Sequence, residues 1–276
     1  MSLPLEICAY SLESCIAAQK AGAARVELCA SAKEGGITPS IGMIQQARKI
    51  LNQTKSTLLF VMIRPRGGDF LYSDIEFEQM ISDAIEAVRS GADGLVLGIL
   101  KRDGSIDINR SKQIIETARS AYKEIISEQK ELGITFHRAF DRADVFAEVE
   151  GIKLPNNKKI KDRISEVIQT GADRILTSGF MPTAEEGINN LRLIVNIRDN
   201  IREEKGDDIS IMAGSGIYSG NVKELLSCGI DELHATAKSI RRGEMKYCSP
   251  YFNSPDETEI TYSDIRKILS IQKENI

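Results

Sequence analysis

Along the chain, short apolar runs of strand length alternate with longer stretches whose apolar residues recur every three or four positions. Eight runs stand out: LEICAY (5–10), RVELCA (25–30), LLFVMIRP (58–65), GLVLGIL (94–100), ITFHRAF (134–140), DRILTSG (173–179), ISIMAGS (209–215) and ELHATA (232–237). Each is too short for a helix and suits a strand buried in a parallel sheet. Helical spacing follows most of them, as in SLESCIAAQKA (11–21), FEQMISDAIEAVRS (77–90) and NVKELLSCG (221–229).

A phrase recurs: AGAARVELCA (21–30), SGADGLVLGI (90–99), TGADRILTSG (170–179) and CGIDELHATA (228–237). Its glycine suits the left-handed position just past a helix end, and the run after it suits a buried strand. The phrase marks every second strand, which points to a repeated two-strand unit. Eight strands alternating with helices predict a TIM-like (β/α)8 barrel, an α/β fold, forming one domain over 1–276. A doubly wound open sheet is the alternative. It calls for a glycine-rich phosphate turn after the first strand, and AYSLES is not one. The polar stretch 147–165 reads as a helix interrupted by a surface loop. The tail, 249–276, reads as an extension packed on the barrel, with turn signals and then a helix across 262–270.

Composition narrows the function. The chain has 276 residues, 42% of them apolar, enough for a substantial core. A net charge of −4 argues against nucleic acid as the main partner. The opening MSLPLEICAY lacks a basic segment followed by a long apolar one, and no apolar stretch approaches the roughly 18–20 residues of a membrane span. Five cysteines, Cys8, Cys15, Cys29, Cys228 and Cys248, are an odd set that fits thiols in a reducing cytoplasm. The partly apolar helix faces allow a homo-oligomer. Only His137 and His234 are available for histidine chemistry.

In a barrel of this type the chemistry sits at the C-terminal ends of the strands. Those ends carry Glu6 and Cys8, Glu27 and Cys29, Arg64 and Arg66 with Asp69 beyond, Thr135, His137, Arg138 and Asp141, Thr177 and Ser178, Ser215, and His234 with Thr236. Charges inside a barrel are costly unless paired, so one reading is a self-satisfied buried network. The other is a binding mouth. Gly214-Ser215-Gly216 offers free backbone N–H groups where barrels often bind phosphate, and Arg64 and Arg66 suit an anion too. In an enzyme on a small phosphate- or carboxylate-bearing ligand, Glu27 or His137 would be general base or acid. Asp69 or Asp141 would fix the arginines or orient the histidine. Cys8 and Cys29 each lie two positions after a glutamate on neighbouring strands. Two such thiolates suit a soft ion such as Cu(I), and buried cysteines also serve simply as packing.

The segments LEICAYSLES, GAARVELCASAKEGGITPS, VMIRPRGGDFLYSD, GADGLVLGIL, ITFHRAFD, GADRILTSG and GSGI…N (214–221) together resemble the CutC copper homeostasis protein family. The resemblance spans residues 5 to about 237, and RPRGGDF and TFHRAFD make it specific. It implies a TIM-like barrel, a cytoplasmic location, a role in copper handling, and Cys8 and Cys29 as Cu(I) ligands. Ser215 stands where the family usually has the middle of three glycines, and the 147–165 stretch is longer than usual. A copper ion and a small anionic ligand are thus the two expected partners, with neither nucleic acid nor membrane among them.

Overall fold

The computed structural model describes residues 3–52, 56–125, 130–241, 251, 257–260 and 262–274. Cys248 and part of the 249–276 tail lie outside the described residues. The strands are β1 (Leu5–Ala9), β2 (Arg25–Leu28), β3 (Leu58–Met62), β4 (Gly94–Leu97), β5 (Gly133–Phe136), β6 (Phe146–Val149), β7 (Ile152–Pro155), β8 (Arg174–Thr177), β9 (Ser210–Gly214), β10 (Glu232–Ala235), β11 (Lys238–Arg241) and β12 (Glu257–Ile260). Eight of them close a parallel barrel in the order β1-β2-β3-β4-β5-β8-β9-β10, with β10 returning to β1. The fold is a TIM-like (β/α)8 barrel.

Each barrel strand is shorter at its C-terminal end than the apolar run that carries it. The ladder thins there to single bonds, such as Cys29 N–H to Ala9 O at 2.9 Å and His137 N–H to Leu97 O at 2.9 Å. The chain then leaves the sheet while still buried. The rim is therefore built of residues that look like strand but are free to aim elsewhere.

Helices pack outside the strands, and local signals start and stop them. Ser73 accepts from Glu76 N–H while the Glu76 carboxylate accepts from Ser73 N–H, a capping box that opens helix Asp74–Arg89. The glycines of the recurring phrase, Gly22, Gly91, Gly171 and Gly229, all have φ between +78° and +98°, the conformation that ends a helix. The acidic residue in three copies of that phrase has its own task at the N-terminal end of the barrel. Asp93 Oδ2 accepts from Leu59 N–H at 2.7 Å, and Asp231 Oδ2 accepts from Ile211 N–H at 2.7 Å. Asp173 does the same for Ile134 N–H. Each carboxylate thus satisfies the opening amide of the preceding strand. Each is also paired with a helix arginine: Arg48, Arg119 or Arg198.

The 147–165 stretch corrects the expectation of a helix broken by a loop. β6 and β7 form an antiparallel hairpin across it, with Val149 opposite Ile152. Glu150 and Gly151 make the two-residue turn at φ 52° and 78°, the left-handed pair that a tight hairpin needs. Helix Asn157–Thr170 begins only afterwards, capped by Asn156, whose Oδ1 accepts from Lys159 N–H at 3.0 Å. The E-G pair was the signal, and the surrounding polarity masked it.

Beyond the barrel, β11 pairs with β12. Helix Tyr262–Glu274 then lies against helix Leu12–Ala21, with Ile265 and Ile268 fully buried. No described helix is long and apolar enough to cross a membrane.

Candidate functional site

The barrel interior holds a chain of charges. In the β1–β2 register Glu6 lies opposite Arg25, and in the β1–β10 register opposite His234. Arg25 Nε donates to Glu6 Oε2 at 2.9 Å, and its other arm pairs with Glu232 of β10. Glu232 Oε1 accepts from Arg174 Nε at 3.2 Å, and Arg174 reaches Thr135 Oγ1 at 3.2 Å. Both guanidinium groups lie about the Phe60 ring, at 5.2 and 5.0 Å. This is the self-satisfied network the sequence allowed. It is a floor, because each charge in it has an opposite partner.

Above the floor, four reactive side chains meet. His234 Nδ1 is 2.7 Å from Glu6 Oε1, and its Nε2 is 3.7 Å from Glu27 Oε2. The register places Cys8 opposite Glu27 rather than opposite Cys29. The two cysteines therefore occupy successive layers, and their sulfurs still approach to 3.9 Å. Cys29 Sγ is also 3.5 Å from Glu27 Oε2. Donor atoms of Cys8, Glu27 and His234 all lie within 4.8 Å of one another. Gly36 covers Cys29 so closely that a Cβ there would sit 3.2 Å from the sulfur.

Proximity in a dry setting moves the proton affinities apart. A hydrogen bond from Cys29, aided by His234, holds the Cys8 thiol well below its usual range despite burial. Burial, and then the negative Cys8 sulfur, push Cys29 well up. Burial and Cys8 likewise raise Glu27 well above the carboxylate range. His234 is held well above its ordinary value: burial opposes this, and Glu27, Cys8 and Glu6 outweigh it. Against its own burial, Glu6 is brought down to about 2 by Arg25 and His234. Within one cluster, the Cys8 thiol is thus held down and the His234 imidazole held up, while the Cys29 thiol and the Glu27 carboxyl are pushed up.

These groups form the foot of a cavity of about 400 Å³. Met62 and Leu176 line its apolar side, and Tyr10, Thr236, Ser215, Gly216, Arg138 and Lys238 line its upper part. Of the residues expected at a mouth, Cys8, Glu27, Arg138, Ser215, Gly216, His234 and Thr236 line this cavity, and the Cys29 sulfur lies 3.9 Å from that of Cys8. Gly214 lies in β9 beneath, packed so closely that a Cβ would meet Leu176 at 2.5 Å.

The remaining expected residues are placed elsewhere. Arg64 donates to the carbonyls of Glu34 (2.9 Å), Gly36 (3.1 Å) and Gly68 (2.9 Å), and stacks on Phe70. Arg66 pairs with Glu76 and Asp69 and stacks on Tyr72. Both arginines brace loops, and Asp69 is a surface partner of one of them. His137 is packed against Phe70, and burial together with Arg64 lowers it to about 3, so it stays neutral. Asp141 holds Arg138, Thr177 and Ser178 in place. His234 was noted at a strand end without a role, and Arg138 and Lys238 drew no role. Lys238 lies beyond the last barrel strand, where no pattern marks it.

The fold and this site define a TIM-type barrel with a paired-thiol cavity at the C-terminal face of its strands. The chain belongs to the CutC family, whose model matches residues 3–239. It is 40% identical over 243 residues to a CutC family protein of Bacteroides fragilis, covering 88% of this chain and 83% of that one. It is also 40% identical over 245 residues to one of Chromobacterium violaceum, covering 88% and 84%. Among solved structures it is similar to the CutC protein of Streptococcus agalactiae, to which copper homeostasis is provisionally ascribed. That likeness has a TM-score of 0.67 at 32% identity and covers 85% of this chain and 98% of that one. A thiamine phosphate pyrophosphorylase of Pyrococcus furiosus shares the fold alone, with a TM-score of 0.53 at 19% identity over 99% and 97% of the two chains.

Proposed function

We propose that the protein handles copper and takes Cu(I) at Cys8 and Cys29. The observation that carries this is the 3.9 Å separation of the two sulfurs at the foot of an open cavity. Twice an ordinary metal–thiolate bond of about 2.3 Å exceeds that separation, so both sulfurs can reach one ion. The rest of the donor set suits a soft ion. Met62 packs with both cysteines, and the His234 nitrogen lies near Cys8. The copper homeostasis role provisionally ascribed to the Streptococcus agalactiae relative supports the same reading. Copper is the cargo here. Cys8, whose proton affinity is lowered, gives up its proton more readily than Cys29, which must release its own to bind. A reducing compartment, the cytoplasm, keeps both thiols available.

Anaerobic titration of Cu(I) against a competing chelator tests the proposal. Wild type should bind at least about 100-fold more tightly than the Cys8→Ser/Cys29→Ser variant, since metal affinity rests on its ligands. Equal affinity would sink the copper site. Because a proton leaves on binding, apparent affinity should also rise by up to about tenfold per pH unit while Cys29 remains protonated.

A further inference from the structure

The upper half of the cavity has features that two thiols and a soft ion do not use. Glu27 lines it, yet Glu27 Oε1 is buried and has no hydrogen-bond partner among the described residues. A buried polar atom left unpaired costs about 1–3 kcal/mol, so such an atom beside a cavity marks a place for a ligand group. A carboxyl group is a hard donor and a poor match for Cu(I).

The same cavity lining also carries two cations, Arg138 and Lys238. Lys238 reaches the cavity with no ion pair among the described residues. Arg138 spends Nε on Asp141 and Nη2 on Ser178, while its Nη1 has no acceptor among the described residues. Between them, Ser215 has φ 78°, a strained conformation for a residue with a Cβ. Its hydroxyl donates to Pro182 O at 2.8 Å and is thereby already engaged. The N–H groups of Ser215 and Gly216 meet no intramolecular acceptor among the described residues. Two free amides, a free guanidinium edge and a free ammonium among the residues lining one cavity are the donors an anion needs.

We infer that the cavity binds a small hydroxylated organic acid, with its phosphate or carboxylate group on Ser215, Gly216, Arg138 and Lys238 and a hydroxyl on Glu27. A hydroxyl can donate or accept, so it serves Glu27 in either protonation state. A volume of about 400 Å³ holds a metabolite-sized molecule and lies toward the small end of ligand pockets. The bound molecule sits over the thiols, within reach of Cys8. This inference does not depend on copper binding.

Calorimetric titration of the metal-free full chain tests it, with inorganic phosphate, glycerol phosphate and glycerate as probes. Both phosphates should bind wild type, glycerol phosphate more tightly. Lys238→Met should weaken each by about tenfold, the loss expected for one charge-assisted bond. Glu27→Gln should remove the advantage of glycerol phosphate over inorganic phosphate. Glycerate against glycerol phosphate decides between carboxylate and phosphate at the anionic end. Absence of binding by all three probes, or unchanged binding in Lys238→Met, overturns the proposal. An advantage that survives in Glu27→Gln overturns the hydroxyl placement. Lys238→Met should keep wild-type Cu(I) affinity, and Cys8→Ser/Cys29→Ser should still bind phosphate, so the two functions fail separately.

Discussion

His137 and His234 are the only histidines in the chain, and burial lowers both, but their neighbours send them in opposite directions. His137 has Arg64 nearby and no acid, and is lowered to about 3. His234 sits between Glu6 and Glu27 and is held well above its ordinary value. Neither outcome is visible in the flanking residues, since both sit on apolar strands. For His137 the unfolded chain takes up a proton below about 6.5 that the folded chain refuses until about 3. Its contribution to stability is therefore complete above about 6.5 and is lost as pH falls through that window. Denaturant titrations of wild type and His137→Phe should diverge in slope there, by up to about 1.4 kcal/mol per pH unit, with wild type the steeper. Parallel profiles would show that His137 is solvated. Glu6 makes a second residue-scale test. Glu6→Gln leaves Arg25 and His234 short of a charge in a dry interior, and should cost about 3–5 kcal/mol in chemical denaturation. The i, i+2 spacing placed each cysteine on one face with a glutamate, Cys8 with Glu6 and Cys29 with Glu27, but the approach of the two sulfurs depends on side chains reaching between successive layers, which spacing does not fix. Lys238 was not legible in the sequence, because one exposed lysine among 36 basic residues has no pattern to mark it.

At the scale of elements, the RPRGGDF segment shows how conspicuous charge misleads. Arg64 and Arg66 follow β3 at the correct end of the barrel for chemistry, and both turn into loops. Arg64 links the segment around Glu34–Gly36 to Gly68 through three carbonyls, a task that needs the planar fork of arginine. Arg64→Lys should cost about 1–3 kcal/mol and speed amide exchange around Gly67–Gly68, while Cu(I) affinity stays near wild type. Unchanged exchange would mean that the loop is held by other contacts. Sequence marks where a guanidinium starts, and only packing decides which carbonyls it meets. The β6–β7 hairpin makes a second case. Glu150 holds φ 52° without the tolerance of asparagine for that region. Glu150→Asn should stabilise the fold by a few tenths to about 1 kcal/mol, measurable as a higher denaturation midpoint.

At the scale of the molecule, the alternation of runs and helical stretches foretold the barrel because its core obeys period and length. The C-terminal helix is a separate matter. It lies outside the 3–239 family match, yet buries Ile265 and Ile268 against the first helix of the barrel. Ile268→Ala should destabilise the whole chain by about 2–4 kcal/mol in a single cooperative transition. An early, separate transition would show that the helix is an independent appendage.

The floor of salt bridges has one more consequence. Glu6, Arg25, Glu232 and Arg174 join ion pair to ion pair in the barrel interior, so a ligand in the cavity rests on a braced, fully paired layer and not on loose side chains. A small acid bound above a captured ion would act as a stopper, delaying the ion's departure without altering its ligands.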